Sequence, residues 1–474
     1  MPKKFTFILV FIIATIIIIP QSHAIDPKVA ALSKSLTPIV NEPAIQIRTF
    51  PNGLKIYYLQ DTELPIVQMK TYLKLGKLYE QEVDRGITEI FMSIWRTGGT
   101  KTRTPKEIDE EIAFLAMILK PFAGGDLSYL NTKFLEKDAQ KALAIYFDIM
   151  RNPAFDADRL ALIKKNKISD IKTRNEEGID IAFREFYQKL YGEKSPHAWL
   201  YTEETIKKID QESLKKFYAE NIAPNQMMMA VVAPYTFDEF LSLITPHIQD
   251  WQTKLPDKKW PTKVVKTIEP SIDLIEKSGN QTAIVMGHFA EKRFNPDKFK
   301  IILGNEMLAG STFGSRVGSR LRSDLGLVYN VGSTFGFQTD YGSFYIGTKT
   351  KNETVVTVVE EVKKILKDFI KGKDLNKDEL EAARERIVNR LVFSLEKTFE
   401  IVCQRLTFDY YGYPPNYTAL FQKEIEAVTL DDVKTTLSKY YFPDSMRVML
   451  VGEKDKITDI KKLKGLKERK LDLE

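Results

Sequence analysis

Two residues in the second half of the 474-residue chain carry side chains suited to handling a peptide bond. Arg322 offers a rigid, permanently charged fork of donors that fits a carbonyl. Tyr329 offers a hydroxyl that can donate to an oxygen as negative charge develops on it. The stretch before them, Leu308-Ala309-Gly310-Ser311-Thr312-Phe313-Gly314-Ser315-Arg316, is rich in small residues, and Gly310 and Gly314 would let another backbone come close. Taken alone this pattern is weak, because a turn between two helices followed by a surface cation reads the same way. In the first half, residues 86–100 read as a helix. Ile87, Ile90, Phe91, Ile94 and Trp95 recur at the spacing that buries one side, and the other side carries Glu89, Met92, Ser93 and Arg96.

Several chemistries are disfavoured at once. His197, His247 and His288 form no helical i, i+4 pair, and no Ser-His-Asp or Cys-His arrangement can be argued. Cys403 is the only cysteine, so no intramolecular disulfide can form. Its neighbours Ile401, Val402 and Leu406 suggest a buried thiol rather than a nucleophile. A net charge of +6, dispersed along the chain, does not argue for nucleic acid.

The 86–100 stretch resembles the helix that bears His-x-x-Glu-His in the insulinase/pitrilysin metallopeptidases, the inverzincins. Gly86 opens it and Gly99-Thr100 closes it, as in that family, but Glu89 stands for the first His, Met92 for the Glu and Ser93 for the second His. The order Asn52-Gly53-Leu54, Pro65-Ile66-Val67, then Gly76 and Glu80 resembles the opening of the same family. Arg320-Leu321-Arg322 through Leu327-Val328-Tyr329 resembles its C-terminal half. In the family that Arg and Tyr reach across to the zinc-bearing half and hold the substrate backbone. Its third metal ligand is a Glu on a later helix, for which Asp170 is the nearest equivalent. Two carboxylates without an imidazole make a poor zinc site, since zinc favours N and S ligands as well. A salt-bridged helix face, with Arg96 one candidate partner, is therefore expected at Glu89 and Asp170, beside the alternative of a weak metal site.

The resemblance implies a non-catalytic subunit with no cofactor of its own. Its partner would be a zinc-bearing paralogue, in a heterodimer that closes over unfolded peptides. Arg322 and Tyr329 would act in trans, with Gly310, Ser311 and Gly314 along the substrate. The alternative is a peptide-binding or scaffold protein of the same fold with no peptidase partner.

The elements expected to position these residues make an α+β chain of two homologous α/β halves, each a mainly antiparallel sheet packed with helices. Ile206, Leu214, Pro224 and Val231 match Ile425, Val433, Pro443 and Leu450, every pair 219 positions apart. Residues 45–50 and 54–59 read as a hairpin, 205–218 as one helix, and Asn376 with Glu379 as a capping box. Expected domains are 25–249 and 264–457, a linker at 250–263 and a solvated charged tail at 458–474. Residues 1–24 read as a secretory signal peptide, with Lys3-Lys4, an apolar run over 5–19 and Ser22-His23-Ala24 before the cut. An uncleaved anchor is the rival reading. No later segment is long and apolar enough to span a membrane. Export, most naturally to a bacterial periplasm, is the expectation.

Overall fold

The computed structural model describes residues 43–260, 264–267 and 269–471. The expected signal segment and residues 261–263 of the expected linker lie outside the described residues. The first half runs β1 (Gln46–Thr49), β2 (Lys55–Gln60), β3 (Ile66–Leu73), α1 (Ile87–Thr97), α2 (Pro105–Phe114), β4 (Ile118–Phe122), β5 (Ser128–Leu135), α3 (Ala139–Arg151), α4 (Ala157–Thr173), α5 (Gly178–Tyr191), α6 (Glu203–Lys208), α7 (Gln211–Asn221), β6 (Met227–Ala233) and α8 (Phe237–Ile248). The second half runs β7 (Ser271–Glu276), β8 (Gln281–Phe289), β9 (Glu291–Lys292), α9 (Lys298–Leu308), β10 (Val328–Phe335), β11 (Phe337–Gln338), β12 (Ser343–Lys351), α10 (Val355–Ile370), α11 (Lys377–Ser394), α12 (Thr398–Tyr411), α13 (Tyr417–Ala427), α14 (Leu430–Tyr440), β13 (Arg447–Gly452) and β14 (Leu466–Arg469).

Each half builds one six-stranded mixed sheet, in the orders β1-β2-β6-β3-β5-β4 and β10-β12-β8-β13-β7-β14. Most neighbours are antiparallel. The parallel pairs are β2–β6 in the first sheet, and β7–β13 and β7–β14 in the second. The repeat seen in the sequence is a repeat of structure: Gln211 begins α7 and Leu430 begins α14, 219 positions later. Among the described residues no helix is long and apolar enough to cross a membrane.

The apolar alternation of each sheet buries one face under that half's own helices, giving the two main cores. The opposite faces are covered by exchange. From the first half, α5 sends Ile181, Ala182, Phe186 and Leu190 onto Ala283, Val285, Met449 and Val451 of the second sheet. In return α12 sends Phe399, Val402, Cys403 and Leu406 onto Tyr57, Tyr72, Ala230 and Val232 of the first. Cys403 is thus a packing residue, and burial pushes its thiol up to about 11. A polar contact locks the same joint, since Asp409 of α12 accepts from Lys55 (2.7 Å) and from the Tyr57 hydroxyl. Burial would raise the Asp409 pKa, but these donors hold it below its ordinary value.

Three local expectations are corrected. Residues 205–218 are two helices, because Thr202 and Asp210 each cap a new start and Ile209 between them is extended. Asn376 caps α11, but the Glu379 carboxylate turns to Arg316 (2.8 Å) and leaves the box half made. The tail is not merely solvated: Leu466–Arg469 pairs in parallel with β7 and fills the edge of the second sheet. Its lysine-rich sequence hid a strand in which Lys467 and Glu468 are exposed, Glu468 bridged by Lys454 at 2.6 Å, while Arg469 turns in to the buried Glu185 of α5 at 3.5 Å.

The exchanged helices are expected to hold the halves together. Phe186 is fully buried between α5 and the second sheet, so Phe186→Ala should lose about 3–5 kcal/mol of unfolding free energy, read by urea titration. A loss under about 1 kcal/mol would mean that α5 is not needed to cover that sheet.

Candidate functional site

Helix α1 is positioned by its start and by its buried side. Gly86 takes a left-handed φ of 91° at its start. The Glu80 carboxylate accepts from the Gly86 and Thr88 amides at 3.0 and 2.9 Å, satisfying donors that a helix start leaves free. Burial raises the Glu80 pKa against those hydrogen bonds. The apolar stripe of α1 lies in the first core, with Phe91 and Trp95 ring to ring at 5.2 Å.

The three degenerate positions of α1 are all engaged. Met92 is in the core, and the Ser93 hydroxyl donates to the Glu89 backbone carbonyl at 2.9 Å. The Glu89 carboxylate holds the Lys167 ammonium of α4 at 2.6 Å. Lys167 also stands 3.7 Å from Asp170 and 5.6 Å from the centre of the Tyr201 ring. Burial would lower the Lys167 pKa, but the Glu89 carboxylate carries it above its ordinary value. The salt-bridged face is therefore present with a different cation from the one expected. Arg96 pairs instead with Asp109 (2.5 Å), which also holds Arg159.

These residues do not fit a zinc ion. The one carboxylate on the motif face is satisfied by an ammonium, Met92 is withdrawn into the core, and no imidazole is near. Among the described residues no group of three His, Cys, Asp or Glu could hold a metal. Each of the three described histidines is occupied elsewhere. His197 stacks on Tyr191 (4.5 Å) and His247 on Phe147 (5.1 Å). His288 donates from Nδ1 to the Phe289 carbonyl (2.8 Å) and accepts the Phe442 amide at Nε2 (3.1 Å).

In the second half, Arg322 lies in a π-helical turn, Ser319–Asp324, just before β10. Between Val328 and Val331 the pairing of β10 with β12 slips by a bulge. Bulges re-aim side chains, and here Tyr329 is 81 % exposed. The Arg322 guanidinium donates to the Tyr329 carbonyl. It also lies between two rings, with its carbon 4.3 Å from the Phe313 centroid and 4.9 Å from that of Tyr329. Contacts of this kind orient a cation on exposed aromatic faces.

The Gly-rich loop supplies Phe313. Gly314 has a φ of +76°, and a Cβ on Gly310 would strike Glu306 at 2.6 Å. Glu306 is buried beneath, held by Arg386 (2.7 Å) and Arg390. Ser311 turns inward, donating to the Phe313 carbonyl at 2.7 Å. Arg322 and Tyr329 are thus brought together, while Glu89 and Asp170 meet only through Lys167. Phe313 and Lys167 were not singled out in the sequence. An aromatic between the two glycines, and a lysine three before Asp170, were the available signals.

Comparisons with known proteins match the two halves to two models of one family. Residues 55–202 match the family model described as "Insulinase (Peptidase family M16)", and residues 208–387 the one described as "Peptidase M16 inactive domain". The chain is similar to an "Uncharacterized zinc protease" of Rickettsia bellii, 23 % identical over 73 % of this chain and 82 % of that one. It is similar to the "Non-peptidase homolog YmxG" of Helicobacter pylori, 22 % identical over 82 % and 86 %. Its fold matches a crystal structure of a peptidase M16 inactive domain from Pseudomonas fluorescens, with a TM-score of 0.75, 22 % identity and coverage of 86 % and 98 %.

Two outcomes follow. Glu89→Gln leaves the Lys167 ammonium half-buried without its carboxylate, and should lose about 1 kcal/mol in urea titration at neutral pH. The raised Lys167 pKa makes this contribution complete below the ammonium's ordinary value and lost as pH rises past it, so wild type and variant should converge in strong alkali. At the acid end, burial pushes both His197 and His288 down to about 4 from 6.5. The unfolded chain binds these protons first, so stability should fall as pH drops from 6.5 towards 4. His288→Gln should flatten that slope, and an unchanged slope would sink the assignment.

Proposed function

The chain belongs to peptidase family M16, the insulinase family, and on that footing we propose that it is the non-catalytic subunit of an exported zinc peptidase, working with a zinc-bearing paralogue on unfolded peptides. The observation that carries this reading is the contrast between the halves. The motif helix has its metal positions filled by a core methionine and an internal ion pair, while Arg322 and Tyr329 stand assembled at the surface. Arg322 would hold a peptide carbonyl, and the Tyr329 hydroxyl would donate to the oxyanion forming at the scissile bond in the partner's active site. The loop from Gly310 to Gly314 would border the peptide, with Ser311 shaping the loop rather than touching substrate. Residues 1–24 support export, with the periplasm as destination.

A second reading, a peptide-binding or scaffold protein without an enzyme partner, is favoured by the satisfied Lys167 bridge and by the similarity to a protein named a non-peptidase homolog. A peptidase assay on a quenched unstructured peptide separates the two. The mature chain alone should be silent, and mixing with an M16 paralogue of the same genome that carries an intact His-x-x-Glu-His should give chelator-sensitive cleavage. Arg322→Ala with Tyr329→Phe should lower that activity by about 10²-fold or more, the usual scale for a lost oxyanion donor. Full activity of the double variant would refute the subunit role, and silence in every mixture would favour the scaffold.

A further inference from the structure

The Phe313–Arg322–Tyr329 cluster stands beside a groove. Beside Tyr329, a cavity of about 800 Å³ lies over the second sheet between Phe183 of α5 and Thr312 of the Gly-rich loop. It runs on into a second cavity of about 630 Å³, since Gln281 and Lys349 line both. Strand alternation makes the floor. On β12, Phe344 and Ile346 enter the helix-covered core, while Tyr345, Gly347, Lys349 and Lys351 lie on the other face. Gly347 lies against the Phe183 ring and pairs with Gly332 of β10, which stands open. A Cβ on Gly332 would meet nothing within 4 Å, and its φ is not positive, so neither packing nor backbone requires glycine there.

The far end of the groove is basic. Lys277, Lys349, Lys351 and Lys456 face the carboxylates of Glu177 and Glu353. The pairs already made, Lys349 with Glu177 (3.3 Å) and Lys456 with Glu453 (2.9 Å), are reached by solvent. Such pairs hold little free energy, and a ligand carboxylate can replace them.

We infer that this groove takes an extended peptide running along β10 and β12, past Tyr329, into the lysine recess, and that it selects peptides with Asp or Glu at the recess end. The inference rests on the reading of Arg322 and Tyr329 as peptide-handling residues. From Tyr345 to Lys351 the strand rises about 20 Å, at ~3.3 Å per residue, a length that suits about six extended residues.

The test is fluorescence anisotropy with the whole mature chain and no partner. Three labelled unstructured peptides would differ only in carrying a run of Glu, Gln or Lys at one end. The Glu peptide should bind at least five-fold tighter than the Gln peptide, and the Lys peptide more weakly still, with the differences shrinking in high salt. Lys351→Glu should remove the preference. Gly332→Val should weaken all three at least ten-fold while the melting temperature holds or rises. Equal affinity for the three peptides, no binding of any, or full binding by the Gly332→Val chain overturns the inference. If charge makes no difference yet Arg322→Ala with Tyr329→Phe abolishes binding, the recess fails and the handling role stands. If the charge preference is present but that double variant cleaves normally with the partner, the subunit reading fails and the recess stands.

Discussion

The exchange of α5 and α12 between the halves is the constraint on which the rest of the molecule depends. A six-stranded sheet has two apolar faces to remove from water, and each half's own helices cover only one. The other face is closed by a helix of the opposite half, through Phe186 and its neighbours on one side and Val402, Cys403 and Leu406 on the other. The covering is incomplete for a geometric reason. Six strands at about 4.8 Å spacing measure roughly 24 Å across, and one helix with its side chains is about 10–12 Å wide. Helix α5 sits over β8 and β13 and reaches β12 at Tyr345 and Gly347, so β10 and the Lys349 end of β12 keep an open face. The groove beside Tyr329 is thus a by-product of how the halves are joined.

The first half keeps the frame of a metal helix without its chemistry because the two rest on different residues. What fixes α1 is its apolar stripe, the left-handed Gly86 and the Glu80 carboxylate on its first amides. None of these is a ligand position. The face that would have carried ligands still gathers carboxylates, Glu89 and Asp170, and a cluster of like charge needs a cation. An ammonium from the neighbouring helix supplies it. A single internal charge cannot polarise a substrate as a metal does, but it lets α1 and α4 pack at the same faces.

Much of this was legible in the sequence, and the misses share a cause. The 219-residue repeat, the Asn52-Gly53 hairpin and the amphipathic α1 are local or periodic signals, and all are present as read. What the sequence hid depends on contacts between distant residues. Lys167 rather than Arg96 holds Glu89, since Arg96 is drawn to Asp109 from the next helix. Strand β4 has little alternation, and its pairing with β5 is what makes it a strand. The C-terminal strand β14 is charged at nearly every position, and only the unfilled edge of β7 makes it a strand. Tyr329 is singled out by its spacing from Arg322, but the bulge that exposes it depends on register with β12.

The state of the Arg322 cluster bears on what it can act upon. Exposed aromatic rings and a free guanidinium each have rotamer freedom to lose on binding. Here that loss has largely been met in advance, because Arg322 is fixed between two rings and tied to the carbonyl beyond them. Phe313 is held in turn by a loop that Ser311 closes and that rests on the buried Glu306. The cluster still presents the exposed Phe313 and Tyr329 rings to solvent. On the proposed reading a peptide lies across Tyr329, with a second protein beyond it to supply the reacting centre. That arrangement requires the rim to be rigid and the first half's degenerate face to be inert, and the Lys167 bridge accounts for the second requirement as directly as the ring sandwich accounts for the first.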